Sequence, residues 1–350
     1  MIQLKKMGLA LEGGGGKGAY QIGAFIALKE LGYKFNMVAG TSIGSLNAAM
    51  IVQGDIELAK TLWLKSDSEL IGMDKDLVKL SKNFKLNKEN IKTSITEIQN
   101  IINNKGLDIT KYKETVNKYI NEDKVRKSKI NYGLVTLRIK DLKPLELSIN
   151  EIEEGKLTEY ILASSYFPLF KMDKLIDNSY YIDGGLSNNL PITLLEKNKC
   201  KKINAIKIDG IGFTKKQTYS HTEVLTISPT KDTGSILLFD NKDINNNFKM
   251  GYYDTYLFFN KLLGYKYYFK KFIFVNLLLR KVDKKTLNLI KLTYKTSNIR
   301  TALIKSIEEV LEDNQIDYYQ IYSIPKIIRY IKENNLKSNN PLVNEFINKI

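Results

Sequence analysis

The pentapeptide Gly-Thr-Ser-Ile-Gly at residues 40–44 constrains this chain more than any other stretch. It follows a short apolar run at residues 35–39 and precedes a helix-like run at residues 45–52. Strand, sharp turn and helix form the context of a nucleophile elbow, in which a strained turn lifts the serine clear of the sheet. The two glycines suit that turn because side chains there would collide with the neighbouring strand and helix. Since Gly-x-Ser-x-Gly also recurs by chance, a plain tight turn that contains Ser42 stays open at this point.

The elbow is the second half of a predicted βαβ unit. Residues 7–11 read as a buried strand, residues 12–18 as a glycine loop, and the helical pattern that follows ends near Gly32. This order predicts a parallel sheet with right-handed crossovers. Later strands are expected at residues 132–139, 145–149, 180–182, 202–209 and 224–227, with a short helix at 157–165. The predicted fold class is α/β, with a mostly parallel central sheet flanked by helices.

Two regions depart from this alternation. Residues 55–124 are polar with a helical pattern and predict a helical insertion or lid. Residues 231–350 are rich in lysine, asparagine and tyrosine and predict a mainly helical, basic C-terminal region. The domain prediction is therefore a catalytic α/β domain at residues 5–230, which contains the insertion, followed by that C-terminal region.

Positive charge is concentrated in one part of the chain. The net charge is +16, and between residues 261 and 300 nine lysines and two arginines face one acid, Asp283. Aromatic residues interleave with this charge across residues 252–300. We expect peripheral contact with an anionic membrane through this region. On charge pattern alone, a nucleic-acid surface or a solvated face above core aromatics fits as well; we expect no nucleic-acid partner.

Cysteine and histidine are each present once, as Cys200 and His221. One cysteine excludes an intramolecular disulfide, and the pair excludes cysteine-based or multi-histidine metal sites within one chain. No metal or cofactor is therefore expected. His221 stands in a polar stretch and is expected to be an exposed loop residue. No apolar run approaches the roughly 20 residues of a bilayer span, and the N-terminus lacks a signal-peptide pattern. A cytoplasmic location with peripheral membrane contact is expected.

The glycine run at residues 13–18 has two interpretations. Gly13, Gly15 and Gly18 match the Gly-x-Gly-x-x-Gly of a dinucleotide loop, but the acidic residue expected about 20 positions later is absent. The other interpretation is an oxyanion hole, in which exposed backbone N–H groups stabilise a negative oxygen and the loss of one donor costs about 3 kcal/mol of barrier. A plain turn does not explain five glycines in six positions.

A carboxylate follows the strand predicted at residues 180–182. Asp183 is succeeded by Gly184 and Gly185, which allow the chain to approach a neighbour closely. A carboxylate at a strand end suits a base that faces a nucleophile. Because Asp-Gly is most often an ordinary turn, the motif carries weight only beside the other two.

The three motifs in this order resemble those of the patatin-like phospholipases. The resemblance covers roughly residues 5–230, and the stretches at 163–170 and 186–191 resemble the family's sequence around its aspartate. The motif residues are Gly13, Lys17, Gly18, Gly40, Gly44, Gly184 and Gly185. The helical insertion and the chain after about residue 241 lie outside the motifs.

The resemblance implies a Ser–Asp dyad with Ser42 as nucleophile and Asp183 as base. It also implies that the amides of Gly14, Gly15 and Gly16 hold the oxyanion. Lys17 is expected either to face a phosphate head group or to be a solvated residue at a helix start. The implied activity is hydrolysis of fatty-acyl esters of membrane phospholipids or other lipid esters through an acyl-enzyme. A non-catalytic protein that binds anionic membranes and a dinucleotide-binding oxidoreductase remain as alternatives.

Overall fold

The chain divides into two compact units, Met1–Tyr252 and Tyr253–Ile350. The computed structural model describes residues 6–65, 109–167, 170–171, 173–234 and 241–350. Residues 66–108, the greater part of the predicted insertion at 55–124, lie outside the described residues. Among the described helices, none is long and apolar enough to cross a bilayer.

A seven-stranded sheet forms the centre of the first unit. Its strands are β1 (Met7–Leu11), β2 (Met37–Thr41), β3 (Asn131–Arg138), β4 (Lys143–Ser148), β5 (Tyr181–Asp183), β6 (Lys202–Ile206) and β7 (Glu223–Ile227). They lie in the order β4-β3-β2-β1-β6-β7, with β5 also paired to β3. All neighbours from β3 to β7 along this order are parallel, whereas β4 and β5 run antiparallel to β3. The predicted mostly parallel sheet is confirmed, and each predicted later strand corresponds to one of β3 to β7.

Helices cover both faces of this sheet, as expected for a parallel sheet buried on both sides. They are α1 (Ala19–Glu30), α2 (Ile43–Val52), α3 (Ile56–Lys65), α4 (Thr110–Tyr119), α5 (Glu122–Lys127), α6 (Leu157–Ser164), α7 (Gly185–Asn188) and α8 (Ile192–Lys197). Short 3-10 turns occur at Gly15–Gly18, Ile149–Glu151 and Ile176–Asn178. A further helix, α9 (Asn241–Phe258), spans the boundary between the units.

Helix α2 is enclosed by the core. Apart from Leu46, every residue of α2 is buried. A helix that is apolar on all sides belongs in the interior, and the run after Ser42 has that composition. The elbow therefore rests on an interior helix.

The other face of the sheet packs against α8. Leu194 and Leu195 of that helix form a buried cluster with residues of β1, β2 and β6, and Cys200 lies within it. Cys200 is a free cysteine, and burial raises the pKa of its thiol to about 11.

Two strand ends meet along one edge of β3. Residues 136–138 of β3 pair with β4 on one side and with β5 on the other. Since a strand has only two edges, β5 must share the edge that β2 occupies along residues 131–135. Thr41 pairs with Val135 and Asp183 with Thr136, so the last residues of β2 and β5 occupy successive positions on that edge.

The second unit is mainly helical, as predicted for the C-terminal region. Its helices are α10 (Val275–Leu278), α11 (Lys284–Thr293), α12 (Ile299–Asp313), α13 (Ile324–Glu333) and α14 (Pro341–Lys349). A small sheet of β8 (Leu262–Leu263), β9 (Tyr268–Lys270) and β10 (Ile321–Tyr322) accompanies them. This sheet was not predicted, because strands of two or three residues are too short to show an alternating pattern.

A buried carboxylate holds the turn before β9. Glu308 of α12 is 3% exposed, and its Oε1 accepts hydrogen bonds from the amides of Tyr265, Lys266 and Tyr267 at 2.6, 2.8 and 3.0 Å. Tyr267, Tyr268 and Phe269 follow this turn and are almost completely buried. These three aromatics of the basic region are therefore core residues.

The closest approach of α2 to the sheet occurs at Gly40. A Cβ atom there would lie 2.0 Å from the carbonyl oxygen of Gly44 and 2.6 Å from the nitrogen of Ser45. Since these are backbone atoms, Gly40→Ala should force α2 away from β2. We expect the free energy of unfolding to fall by on the order of 3 kcal/mol, which chemical denaturation would measure.

Gly8→Ala is the matched control for this substitution. Its Cβ would contact only side-chain atoms of Leu195 and Cys200, at 3.0 Å and 3.2 Å, which can shift. A smaller loss of stability is expected, and equal losses for the two variants would contradict the argument.

Candidate active site

Ser42 has the strained backbone of an elbow serine. Its φ and ψ are 55° and −128°, a conformation that costs a residue with a side chain on the order of 1 to 3 kcal/mol. Its neighbours fix it there. The amide of Ser42 donates to Ser164 Oγ at 2.9 Å. Its carbonyl accepts from the amide and the hydroxyl of Ser45 at 2.8 and 2.6 Å.

Asp183 is buried beside Ser42. The Ser42 hydroxyl lies near its carboxylate, and its Oδ1 accepts from the amide of Gly185 at 2.7 Å. Its own amide donates to the carbonyl of Tyr166 at 2.9 Å. Burial disfavours the charged carboxylate and raises the pKa of Asp183 to about 6, although the nearby Ser42 hydroxyl and the Gly185 amide oppose this shift.

The glycine loop passes next to the serine. A Cβ at Gly13 would lie 3.0 Å from the Cβ of Ser42 and 2.4 Å from Asn189 Oδ1. The amide of Gly13 donates to the Asn189 carbonyl, and its carbonyl accepts from Asn189 Nδ2, both at 3.1 Å. Gly15 has a φ of 54°, which favours glycine. Within the described residues, the amides of Gly14, Gly15 and Gly16 have no hydrogen-bond acceptor.

Lys17 and Glu12 tie this loop to residues 208–210. Lys17 Nζ donates to the carbonyl of Asp209 at 3.0 Å, and Glu12 Oε2 accepts from the amide of Ile208 at 2.6 Å. Both side chains are buried. Burial lowers the pKa of Lys17 and raises that of Glu12. The expectation of a solvated Lys17 is therefore wrong, because its stem and ammonium group are enclosed.

The other motif glycines allow close approach. A Cβ at Gly44 would lie 2.5 Å from the carbonyl of Leu11, and one at Gly18 would lie 2.6 Å from the ring of Trp63. A Cβ at Gly184 would lie 2.1 Å from the carbonyl of Val135. These positions bring the elbow helix and the aspartate strand close to the neighbouring strands.

Ser164 is the site residue that sequence reasoning missed. It is fully buried, and its hydroxyl accepts from the Ser42 amide while donating to the Val135 carbonyl at 2.6 Å. Its own carbonyl accepts from the amide of Gly184 at 3.1 Å. One residue thus connects the elbow, β3 and the aspartate strand. The sequence signal that could have identified Ser164 is its position in residues 163–170, which resemble the family's sequence around its aspartate.

Tyr112 of α4 also lies near the aspartate. Its hydroxyl donates to Ser165 Oγ at 3.0 Å. Burial raises the pKa of Tyr112 to about 12, and the charge of Asp183 contributes in the same direction. His221, by contrast, is exposed as expected, with its ring 5.4 Å from that of Tyr219.

A parallel α/β sheet that carries a serine elbow and a buried carboxylate beside it is typical of serine hydrolases. A family model described as patatin-like phospholipase matches residues 9–195, just over half of the chain. The chain belongs to this family and is by class a lipid acyl hydrolase. The family match favours a hydrolase over the two alternatives, an oxidoreductase and a non-catalytic protein.

Comparison with curated proteins finds no match. Among solved structures, the chain is similar to VipD from Legionella pneumophila, with 15% identity, a TM-score of 0.43, and coverage of 99% of this chain and 83% of that one. It is similar to the type III effector ExoU, with 13% identity, a TM-score of 0.36, and coverage of 99% and 72%. It is also similar to a complex of SpcU with ExoU from Pseudomonas aeruginosa, with 12% identity, a TM-score of 0.30, and coverage of 99% of this chain and 70% of that one. The family assignment depends on the family model alone.

Ser164→Ala is expected to slow the reaction of Ser42 with a fluorophosphonate probe by roughly ten-fold or more, because small displacements of a reacting group are costly. The control is Ser165→Ala, which removes a neighbouring buried hydroxyl that contacts Tyr112 instead. Labelling rates that fall equally in both variants would point to a general loss of packing.

The raised pKa of Asp183 predicts a pH-dependent stability difference. The folded pKa of about 6 exceeds the unfolded value of about 3.9. The stability that this group contributes is therefore complete below about pH 4 and is lost as the pH rises through about 6. Asp183→Asn stays neutral throughout, so its stability relative to the native protein should increase by on the order of 2 to 3 kcal/mol between about pH 4 and pH 7. Denaturation at the two pH values measures this change, and a constant difference would contradict it.

Proposed function

We propose that Ser42 and Asp183 form a Ser–Asp dyad that hydrolyses fatty-acyl esters of membrane phospholipids or related lipid esters. The observation that carries the proposal is the proximity of the Ser42 hydroxyl to the buried Asp183 carboxylate, where β2 and β5 end at successive positions on β3. A serine hydroxyl beside a buried carboxylate suits general-base activation. The sole histidine, His221, is exposed in a loop, so the carboxylate is the base next to the serine.

Asp183 takes the hydroxyl proton as Ser42 Oγ attacks the acyl carbon. The carbonyl π electrons move onto oxygen, and the resulting oxyanion accepts hydrogen bonds from the glycine loop. When the intermediate collapses, the ester C–O bond breaks, and Asp183 gives the proton to the leaving alcohol. Water then repeats the sequence on the acyl-enzyme, which releases the fatty acid and restores the Ser42 hydroxyl.

The amides of Gly14, Gly15 and Gly16 are the proposed donors to the oxyanion. Their N–H groups lack acceptors within the described chain, and the loop passes beside Ser42. Donors fixed before the reaction stabilise the developing charge without reorganisation. The ties from Lys17 and Glu12 to residues 208–210 support that fixed position.

Burial of Asp183 helps the chemistry. An aspartate with an ordinary pKa is a weak base for a serine hydroxyl, and a pKa of about 6 narrows that gap while leaving most molecules ionised at neutral pH. We also propose that the basic region at residues 252–300 contacts the membrane surface in which the lipid substrate lies.

Ser42→Ala and Asp183→Asn should each lower fatty-acid release from phospholipid vesicles by on the order of 10³-fold or more, because each removes an essential partner of the chemical step. Lipid mass spectrometry of the released products would measure this loss and would also identify the acyl position that is cleaved.

Ser220→Ala, at an exposed serine near His221, is the control and should retain full activity. Labelling by a fluorophosphonate should disappear in Ser42→Ala and be retained in Ser220→Ala. Undiminished hydrolysis by either dyad variant, or labelling that persists without Ser42, would overturn the proposal.

A further inference from the structure

Residues 270–281 of the second unit form a short segment, called here the apolar–basic segment, that exposes large apolar side chains. Ile273 is 74% exposed, and Phe274 and Leu277 are each 59% exposed. Single exposed apolar residues are ordinary, but three within five positions form a concentrated apolar surface.

The apolar–basic segment is anchored to its unit. Val275 and Leu279 are buried in the hydrophobic core of that unit, and helix α10 begins at Val275. Phe272 packs partly against this core, and its ring lies 6.1 Å from the ring of Phe274. The exposed side chains are therefore held outside a fixed framework.

Positive charge flanks the apolar side chains on both sides. Lys270 and Lys271 precede them and Arg280 and Lys281 follow, and all four are exposed. Within the described part of the chain, none of these four forms an ion pair. The nearest acid in sequence, Asp283, is already paired with Lys349 at 2.8 Å and caps α11 through the amide of Thr286.

Exposed apolar side chains flanked by cations bind most favourably to a surface that offers both an apolar interior and negative charge. Transfer of a large apolar side chain out of water is worth about 1.5 to 3 kcal/mol, and a basic residue near an anionic membrane contributes about 1 kcal/mol. A lipid surface with anionic head groups supplies both an apolar interior and opposite charge. A second copy of this chain is a less suitable partner for a basic surface, because its own net charge is +16.

We infer that the apolar–basic segment docks on anionic membranes, with Ile273, Phe274 and Leu277 entering the acyl boundary and the four cations contacting head groups. This inference rests on the proposed action on membrane lipids and narrows the contact expected across residues 252–300. Tyr267, Tyr268 and Phe269, which belong to that wider region, are buried and therefore unable to insert.

Binding is tested by co-sedimentation in the Ser42→Ala background, so that the result does not depend on catalysis. The vesicles contain phosphatidylcholine alone or mixed with phosphatidylglycerol. The protein should bind the anionic vesicles, and the triple variant Ile273→Ser, Phe274→Ser, Leu277→Ser should bind them at least about ten-fold more weakly. Replacing the four cations by glutamine should remove the preference for phosphatidylglycerol and the salt dependence of binding.

Leu292→Ser is the matched control, because Leu292 of α11 is 73% exposed in the same unit but lies outside the segment. It should bind as the parent does. In the catalytically intact chain, the triple variant should keep its hydrolysis of a soluble short-chain ester while losing vesicle hydrolysis. Loss of both activities would contradict a role in docking alone, whereas failure of the catalytic proposal would appear as hydrolysis that persists in Ser42→Ala.

Several results would overturn the inference. These are absence of vesicle binding by the parent, equal binding by the triple variant, and an equal loss of binding in Leu292→Ser. Light scattering provides a fourth contradicting result. If the parent is a dimer, and the triple variant is a monomer with unchanged vesicle binding, the segment is an interface between copies.

Discussion

The pairing of β3 with two strands on the same edge is the constraint on which the candidate site depends. Strand β2 occupies the first part of that edge and β5 the remainder, so their carboxyl ends adjoin. Ser42 and Asp183, which are about 140 positions apart in sequence, thus become neighbours because of backbone hydrogen bonds between strands. Ser164 reinforces the junction, since its hydroxyl holds the elbow and its carbonyl holds the start of the Asp-Gly-Gly turn.

Burial acts on this junction in two opposing ways. It raises the pKa of Asp183 and so reduces the stability of the folded state at neutral pH. The same burial keeps this carboxylate beside Ser42, where the proposed reaction needs a base. A strained serine backbone beside a desolvated carboxylate is the type of local conflict that functional sites retain while the surrounding core maintains the fold. The interior helix α2 and the tightly packed glycines supply that support.

The sequence predicted the elements with strong local patterns and missed contacts set by tertiary packing. The apolar strand before Ser42 and the apolar run after it were sufficient for the elbow, and the alternation of strands and helices was sufficient for the parallel sheet. Ser164 carries no local pattern that distinguishes it from Ser165, because only the packed structure shows which hydroxyl meets the Ser42 amide. The burial of Lys17 was missed for a similar reason, since its acceptor lies near residue 209. Aromatic residues of the basic region divided into core and surface according to tertiary position, which composition does not show.

The single cysteine, Cys200, is protected from redox chemistry in the folded protein. Its thiol is buried against α8, and its pKa of about 11 leaves almost no thiolate at neutral pH. Reaction with oxidants or disulfides requires the thiolate and access to it, and both are suppressed here. Because the chain has no second cysteine, its native fold involves no intramolecular thiol–disulfide couple. We therefore expect its folding free energy to change little between oxidising and reducing surroundings, so that the same folded state persists across compartments of very different redox potential.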